Sequence, residues 1–356
     1  MMCHHDGEMP VSPDENLPYD DLRGDMAGAG GLVKDEPGDF EVEEIPAYEP
    51  VGEGEHLFLW MERCNRSHEQ MTWQISRSLG IPSRDIGVAG IKDRRAVIRQ
   101  YVSVPASCEP HVARIETEGI RVLRAARHRN KLKRGHLRGN RFSLLVRGVT
   151  HEGAARAAVI ADRIRRQGFP NYFGSQRFGV AGSTLSLGFD LLSGRQTPRD
   201  LPPSRRRFLL SLAISSVQSH LFNACLAARI RDGILRRVLL GDVMLVVESG
   251  GRFVVADVDR EQSRSDAGET VISGPLFGPD MLPAADEPGR REAHVLASQG
   301  LELAAFVPFA RLAAGSRRAL SVRPEELLVK SVPEGLRVLT TLPSGVYATS
   351  LLREIQ

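Results

Sequence analysis

Residues 86–104 read IGVAGIKDRRAVIRQYVSV, and this stretch indicates how the first half of the chain folds. Two β-type runs, Ile86–Ala89 and Val97–Val104, flank the polar block Gly90–Ala96. A loop between strands can project a side chain into a cleft, so Asp93 is a candidate catalytic carboxylate. A lone Asp at a strand end is more often a turn former or a cap. Three cationic neighbours lower the electrostatic cost of an anion here, namely Lys92, Arg94 and Arg95.

The pattern on both sides of this stretch is that of a mixed α+β structure. An amphipathic helix is predicted from an N-cap at Ser67 to a stop at Gly80. Its apolar residues share one face and are Met71, Ile75 and Leu79. The remaining β-type runs of the first half are Phe40–Ile45, His56–Met61 and Phe142–Val146.

The second half of the chain alternates helices and short β-type runs. A helix is predicted over Glu152–Gln167, and Ser204 can cap a long helix that ends near Asp232. β-type runs broken by Gly and Pro are predicted for about 241–295, and a strand over Leu336–Thr341 is followed by a Pro-Ser-Gly turn and a closing segment. A chain of 356 residues is about twice a typical domain length, which favours two domains or one core with a large insertion.

Composition predicts a packed globular protein, since 42% of residues are hydrophobic and 26% are charged. The net charge is +3, but residues 1–25 are acidic and proline-containing, so we expect a flexible tail there. No export leader or membrane span is expected. The cysteines are far apart, which predicts a reducing cytoplasm rather than a disulfide framework or a zinc site. They are Cys3, Cys64, Cys108 and Cys225.

A basic run from Arg121 to Arg141 is the strongest electrostatic signal. It contains nine Arg or Lys residues, together with His128 and His136, and no acidic residue. A single-sign run repels itself unless a polyanion is present, which indicates a nucleic acid partner, although a solvated basic loop would have the same sequence. The adjoining segment Gly139–Phe142 favours nucleic acid, because it adds an amide and an aromatic ring that can hold an extruded base.

A second aromatic segment spans Pro170–Gly179. It could line an RNA cleft, or its rings could fill a small core at a domain hinge. The sequence alone favours the second alternative.

Six blocks, in order along the chain, resemble the signature blocks of the TruD family of pseudouridine synthases. Any one block is weak, but the ordered set is specific and covers about residue 30 to the C-terminus. The blocks are DFEVEE (39–44), GEGEHL (52–57), AGIKDRRAV (89–97), GNRF (139–142), NYFGSQRFG (171–179) and LPSGVYAT (342–349).

The resemblance implies an α+β fold: a pseudouridine-synthase catalytic core with a mixed, mainly antiparallel sheet, interrupted by an inserted family-specific α/β domain. The core would comprise 26–167 and 317–356, and the insertion 168–316. The implied activity is the isomerisation of a uridine of tRNA, uridine 13 in the D arm, with no cofactor and no metal. The protein would be a cytoplasmic monomer that does not bind membranes.

The resemblance also implies roles for individual residues. Asp93 matches the catalytic aspartate, and Lys34 a basic residue beside it. Residues that match the lining of the uridine pocket are Phe40, Asn140, Phe142 and Tyr347. Within the basic run, the candidates for the RNA backbone are Arg129, Lys131, Lys133 and Arg134.

The sequence leaves open the oligomeric state, the role of the acidic tail, the RNA that is modified in vivo and the chemical route. Asp93 could attack the ribose or the base covalently, or abstract a ribose proton to give a glycal-like intermediate. As to function, a non-catalytic RNA-binding protein or folding chaperone would share the basic run and the aromatics without needing Asp93. A carboxylate hydrolase acting on nucleosides or sugars would need a second carboxylate; the sequence around Asp93 contains none, although distant residues could supply one.

Overall fold

The computed structural model describes residues 17, 18, 22, 23 and 26–356. Most of the predicted acidic tail, 1–25, lies outside the described residues. The chain divides into two compact units, a sheet unit and a helical unit. The sheet unit contains the described residues of Leu22–Gly168, with Arg323–Ala348 and Leu352–Gln356. The helical unit contains residues 17 and 18, Phe169–Val322 and Thr349–Leu351.

The strands are, in chain order, β1 (Leu32–Val33), β2 (Phe40–Pro46), β3 (His56–Cys64), β4 (Gly87–Val88), β5 (Val97–Pro105), β6 (Ile120–His128), β7 (Leu137–Arg147), β8 (Phe169–Pro170), β9 (Val243–Val246), β10 (Arg252–Val254), β11 (Thr270–Leu276), β12 (Ser316–Ala319), β13 (Ser321–Val322), β14 (Glu326–Val332) and β15 (Gly335–Pro343). The α-helices are α1 (His68–Leu79), α2 (His151–Gln167), α3 (Ser183–Leu192), α4 (Arg206–Arg231), α5 (Val258–Asp266), α6 (Asp286–Ser298) and α7 (Ala348–Ile355).

The sheet unit is built on a nine-stranded sheet in the order β14-β15-β7-β2-β5-β3-β6, with β1 paired to β7 and β4 paired to β5. The pairing of β2 with β5 is parallel, and the other pairs are antiparallel, so the predicted mixed, mainly antiparallel sheet is confirmed. Parallel pairing brings the segment before β2 and the loop before β5 to the same edge of the sheet.

The core of the sheet unit follows from strand alternation and one capped helix. Leu57, Leu59 and Met61 of β3 point to the same face, where they are buried against Met71 and Ile75 of α1. Helix α1 begins and ends as predicted: Ser67 and Gln70 form a capping box, and Gly80 closes the helix in the left-handed conformation.

The helical unit packs around α4, and its sheets have the orders β10-β9-β11-β12 and β13-β8. Its core joins α3, α4 and α6 through residues such as Leu191, Val217, Leu221 and Val295. By length and composition alone, α4 could cross a membrane, and it is the one described helix of which this is true. Of its most apolar window, 61% is buried within the fold, as in the core helix of a globular unit.

Two sequence predictions in the helical unit are wrong. Helix α4 begins at Arg206 with Arg205 as its N-cap, so Ser204 is not the cap. The region 241–295, predicted to contain β-type runs, also contains α5 and most of α6. Helix α5 has almost no apolar face, and its N-terminus depends on Asp257, which accepts the Arg260 N–H. In α6 a proline stands in the first turn, where its missing N–H costs nothing.

Candidate active site

Asp93 lies in the loop between β4 and β5, where the sequence places it, and its carboxylate pairs with Lys34. Lys34 Nζ is 2.5 Å from Asp93 Oδ2, and both side chains are about three-quarters buried. The same ammonium lies 4.0 Å from the centre of the Phe40 ring. Lys34 has a φ of 60°, a left-handed conformation that is uncommon for a residue other than glycine and that clusters at functional sites. Lys34 therefore contacts both of the other predicted residues, Asp93 and Phe40.

Phe40 and Phe142 form an aromatic wall at this edge of the sheet. The rings meet edge to face, with centroids 6.1 Å apart and an interplanar angle of 75°. Both residues are largely buried, at 3% and 7% exposure. Asn140 lies two residues before Phe142 on β7, so the two side chains share one face of the sheet.

Asn140 is held by a buried ion pair that the sequence analysis did not identify. Lys92 Nζ donates to Asn140 Oδ1 at 2.5 Å and lies 3.3 Å from Glu44 Oε2. Glu44 faces Asn140 across the β2–β7 pairing. Burial raises the pKa of Glu44 and lowers that of Lys92, and the attraction between the two charges opposes both shifts. Because the amide oxygen accepts from a cation, the Asn140 amide presents its NH₂ group as a donor elsewhere.

Lys92 is engaged inside the fold. Its side chain is 8% exposed and is directed at Glu44 and Asn140. Arg95 donates to the backbone carbonyl of Asp35 at 2.5 Å.

Arg63 fixes the loop that carries Asp93 through hydrogen bonds to the loop backbone, and the sequence did not point to this residue. This arginine is 2% exposed, and it donates to the carbonyls of Lys92 at 3.0 Å and Asp93 at 3.1 Å, and also to that of Arg66. Burial lowers the pKa of Arg63 to about 10, and the Asp93 carboxylate opposes this shift. A buried guanidinium thus stands beneath the candidate catalytic carboxylate.

Tyr347 lies beyond the turn that follows β15. The last residues of β15 pair with β7, with Leu342 opposite Asn140 and Pro343 opposite Gly139. The backbone thus brings Tyr347, as N-cap of α7, to the strand end that carries Asn140.

The predicted basic run has a different electrostatic character in three dimensions. Four of its arginines form ion pairs with glutamates that are distant in sequence, at 2.5 to 2.9 Å: Arg124–Glu49, Arg127–Glu109, Arg129–Glu53 and Arg141–Glu43. Of the four residues predicted to contact the RNA backbone, Arg129 is therefore already paired with a carboxylate, and Lys131, Lys133 and Arg134 have no such ion pair among the described residues.

Residues 129–136, the loop between β6 and β7, are anchored rather than loosely solvated. Leu132 is 3% exposed, and its N–H donates to Ser103 Oγ at 3.0 Å. The Gly135 N–H donates to the carbonyl of Ala89, the residue before the Asp93 block, at 2.8 Å. Lys131 Nζ donates to the Arg84 carbonyl. We call this segment the basic loop.

The rings of Pro170–Gly179 pack within the helical unit. Tyr172, Phe173 and Phe178 are all less than 9% exposed. The Phe173 backbone exchanges hydrogen bonds with the Asn223 amide, and the Arg318 guanidinium lies 4.1 Å from the Phe173 ring centre. The core-filling alternative is therefore the correct one for these three rings.

Comparisons with known proteins identify the class to which this arrangement belongs. A family model described as tRNA pseudouridine synthase D (TruD) matches residues 21–197 and 203–355. The chain is 41% identical over 340 residues to tRNA pseudouridine synthase D of Anaeromyxobacter dehalogenans strain 2CP-1, covering 96% of each chain. It is 41% identical over 345 residues to a protein of the same name from Thermus thermophilus, covering 96% of this chain and 92% of that one.

The fold has a solved counterpart in the TruD-type protein of Methanosarcina mazei, with a TM-score of 0.72, 26% identity and 95% coverage of both chains. The α+β fold and these relatives define an RNA pseudouridine synthase, which is an isomerase. The chain belongs to the TruD family of tRNA pseudouridine synthases.

Proposed function

We propose that this protein isomerises a uridine of tRNA to pseudouridine, with Asp93 as the catalytic carboxylate. By the family resemblance the target is uridine 13 in the D arm. The observation that carries the proposal is the Asp93 carboxylate paired with Lys34 at 2.5 Å, while the same ammonium lies over the Phe40 ring. This arrangement places a carboxylate, an ammonium and an aromatic ring together at one edge of the sheet.

The reaction breaks the bond between N1 of uracil and C1′ of the ribose, turns the base and forms a bond between C5 and C1′. The C5 proton leaves and N1 gains a proton, so the product is an isomer of the substrate and no redox partner takes part. Asp93 serves either as a nucleophile towards the ribose or the base, or as a base that removes a ribose proton. Lys34 and Arg63 supply positive charge near the carboxylate in both routes.

Asn140 would select uracil through the orientation that Lys92 imposes on its amide. With Oδ1 accepting from Lys92, the amide NH₂ can donate to a uracil carbonyl. Cytosine carries an amino donor where uracil has the O4 acceptor. The amino group of cytosine would therefore face the NH₂ group of Asn140, and two donors cannot hydrogen-bond each other. A site built to hydrogen-bond one base in this way rejects the other strongly.

The target nucleotide must leave the RNA stack to reach Asp93, which costs a few kcal/mol. Stacking on an aromatic side chain returns roughly 1–3 kcal/mol per base. Phe40 and Tyr347 are our candidates for this contact. The basic loop would hold phosphates near the extruded nucleotide.

The proposal is tested by incubating the purified chain with an unmodified tRNA transcript and mapping pseudouridine at single-nucleotide resolution. We expect conversion of one uridine in the D arm. Conversion elsewhere would change the proposed target, and tight RNA binding without conversion of any uridine would favour the non-catalytic RNA-binding alternative.

The hydroxyl of Tyr347 is expected to be dispensable, because the ring face supports the base. Tyr347→Phe should keep activity within about twofold of the unaltered protein, whereas Tyr347→Ala should lower kcat/KM by roughly 5- to 150-fold, the equivalent of 1–3 kcal/mol of stacking. Steady-state kinetics on the tRNA transcript measure both. Equal inactivity of the two variants would instead assign the hydroxyl a chemical role.

RNA binding is expected to weaken with salt through the basic loop. Replacing Lys131, Lys133 and Arg134 by Ala should reduce the slope of log K against log salt by roughly 2–3, since each phosphate contact contributes about 0.7–0.9. Arg129→Ala alone should change the slope by much less, because Arg129 is paired with Glu53. Binding titrations across a salt series measure the slopes, and an unchanged slope in the triple variant would remove the basic loop from RNA contact.

A further inference from the structure

An open depression of about 720 Å³ lies in the sheet unit, beside the site already described. Its wall comes from the residues that follow β2 and end β6, and from the basic loop. The side chains that line it include Tyr48, His128, Asn130, Lys131, Lys133 and His136. None of them belongs to the group around Asp93.

One wall of the depression is aromatic and rigid. Tyr48 and His128 are stacked, with ring centroids 5.0 Å apart and an interplanar angle of 18°. The Tyr48 hydroxyl and His136 Nδ1 are 2.6 Å apart. His128 is 8% exposed and packs against the buried Phe58 ring at 4.7 Å. The rings are therefore held in place before any ligand arrives.

The basic loop adds positive charge to another part of the depression. Lys131 and Lys133 both line the depression. Within the part of the chain that the structure describes, no carboxylate lies within 4.0 Å of either ammonium. By contrast, four arginines of the basic run each form an ion pair with a glutamate. Lys131 is held in place, since its Cγ would lie 3.1 Å from a Cβ on Gly87 and its ammonium donates to the Arg84 carbonyl. The described part of the sheet unit thus keeps two uncompensated cations beside a ring wall.

This combination fits a nucleotide and not a metal ion. A phosphate finds two ammonium groups, a base finds ring faces and edges, and the Asn130 amide can hydrogen-bond a base edge. The three histidines that line the depression include His56, yet among the described residues no group of three His, Cys, Asp or Glu is arranged to hold a metal.

The depression is coupled to the candidate active site by backbone. His136 precedes Asn140 by four residues, a distance of about 13 Å at 3.3 Å per residue along an extended strand. The Gly135 N–H bonds the carbonyl of Ala89, the residue before the Gly90–Ala96 block. One loop and one strand of the sheet unit therefore join the depression to the candidate active site.

We propose that this depression binds a second nucleotide of the RNA substrate, close in the strand to the uridine that is isomerised. The inference rests on the proposed function, and it adds a subsite that anchors the strand while the target base is extruded. Its phosphate meets Lys131 and Lys133, and its base lies against Tyr48 and His136. The free energy of binding this second nucleotide helps to offset the cost of unstacking the target uridine.

The first test uses the full-length Asp93→Asn variant and an unmodified tRNA transcript, so that turnover is not needed. The complex is crosslinked with ultraviolet light, and the crosslinked peptides and nucleotides are identified by mass spectrometry. We expect one nucleotide other than the target uridine to crosslink to the peptide containing Tyr48 or the peptide containing His136. Crosslinks that lie only on other peptides would overturn the proposal.

The second test compares Lys133→Ala and His136→Gln with the matched control Arg165→Ala. Arg165 is an exposed residue of α2, 3.6 Å from Asp162, and its loss changes the net charge as much as the loss of Lys133. Both depression variants should raise the Kd for tRNA about 10-fold, and the control less than twofold. Equal Kd values for variants and control would overturn the subsite. The proposed function fails by a different result, the absence of pseudouridine from the unaltered protein.

Discussion

Replacing Asp93 by asparagine is expected to bring pseudouridine formation below detection, a loss of at least about 10⁴-fold, while the affinity for tRNA stays within about twofold. The substitution keeps the size and polarity of the side chain but removes the carboxylate that acts as nucleophile or base, and loss of such a group costs several orders of magnitude. Affinity should persist, because removing one anion beside a polyanion does not weaken attraction. Lys34 remains available to the RNA once its partner at 2.5 Å is neutral.

The measurement is a parallel assay of pseudouridine formation and RNA binding on one preparation. Asp35→Asn is the matched control, because it removes the same charge from an exposed side chain near Lys34, and its backbone carbonyl still accepts from Arg95. Turnover by Asp93→Asn close to that of Asp35→Asn would contradict the mechanism. Loss of RNA binding together with turnover in Asp93→Asn would make the role of Asp93 structural.

The second large effect concerns stability. Lys92→Met is expected to lower the free energy of unfolding by about 3–5 kcal/mol at pH 8, the usual cost of leaving one partner of a buried ion pair alone. Glu44 is 2% exposed, and without Lys92 its remaining polar contact in the described structure is the Tyr101 N–H at 3.3 Å. Chemical denaturation of the unaltered protein and the variant measures the difference.

The pH dependence of this loss identifies its cause. Burial already raises the pKa of Glu44, and Lys92 opposes that shift, so the pKa should rise further in Lys92→Met. The folded variant then keeps its proton to a higher pH than the unfolded chain does. Stability therefore falls as pH rises from the ordinary glutamate pKa through the folded one, and the loss is smaller at pH 5 than at pH 8. A loss independent of pH would indicate a packing defect instead.

A double variant separates the effect of Lys92 on protein stability from its effect on the orientation of Asn140. Glu44→Gln combined with Lys92→Met removes both charges, so most of the lost stability and the pH dependence of the loss should disappear. Activity should not recover in parallel, because Asn140 still lacks the cation that fixes its amide. We expect kcat/KM about 10-fold below that of the unaltered protein. Full recovery of kcat/KM in the double variant would show that Lys92 does not orient Asn140.

Local sequence was sufficient for several elements. The Ser67 cap and the Gly80 stop predicted α1, because caps act through hydrogen bonds within a few residues. Alternation predicted β2, β3 and β5. The block Gly90–Ala96 marked Asp93, and the family resemblance brought Lys34, Phe40, Asn140 and Phe142 to one site. Helices α5 and α6 were not predicted because α5 is polar and α6 has a proline in its first turn.

The sequence by itself determined the family, the α+β class and the identity of the candidate catalytic carboxylate. The tertiary structure alone decided which charges meet. It paired Arg129 with Glu53, left Lys131 and Lys133 without a carboxylate among the described residues, and buried Lys92 between Glu44 and Asn140. It also placed Arg63 under the Asp93 loop. These contacts join residues about 30 or more positions apart, and their geometry depends on strand order, on the parallel pairing of β2 with β5 and on desolvation, none of which local sequence encodes.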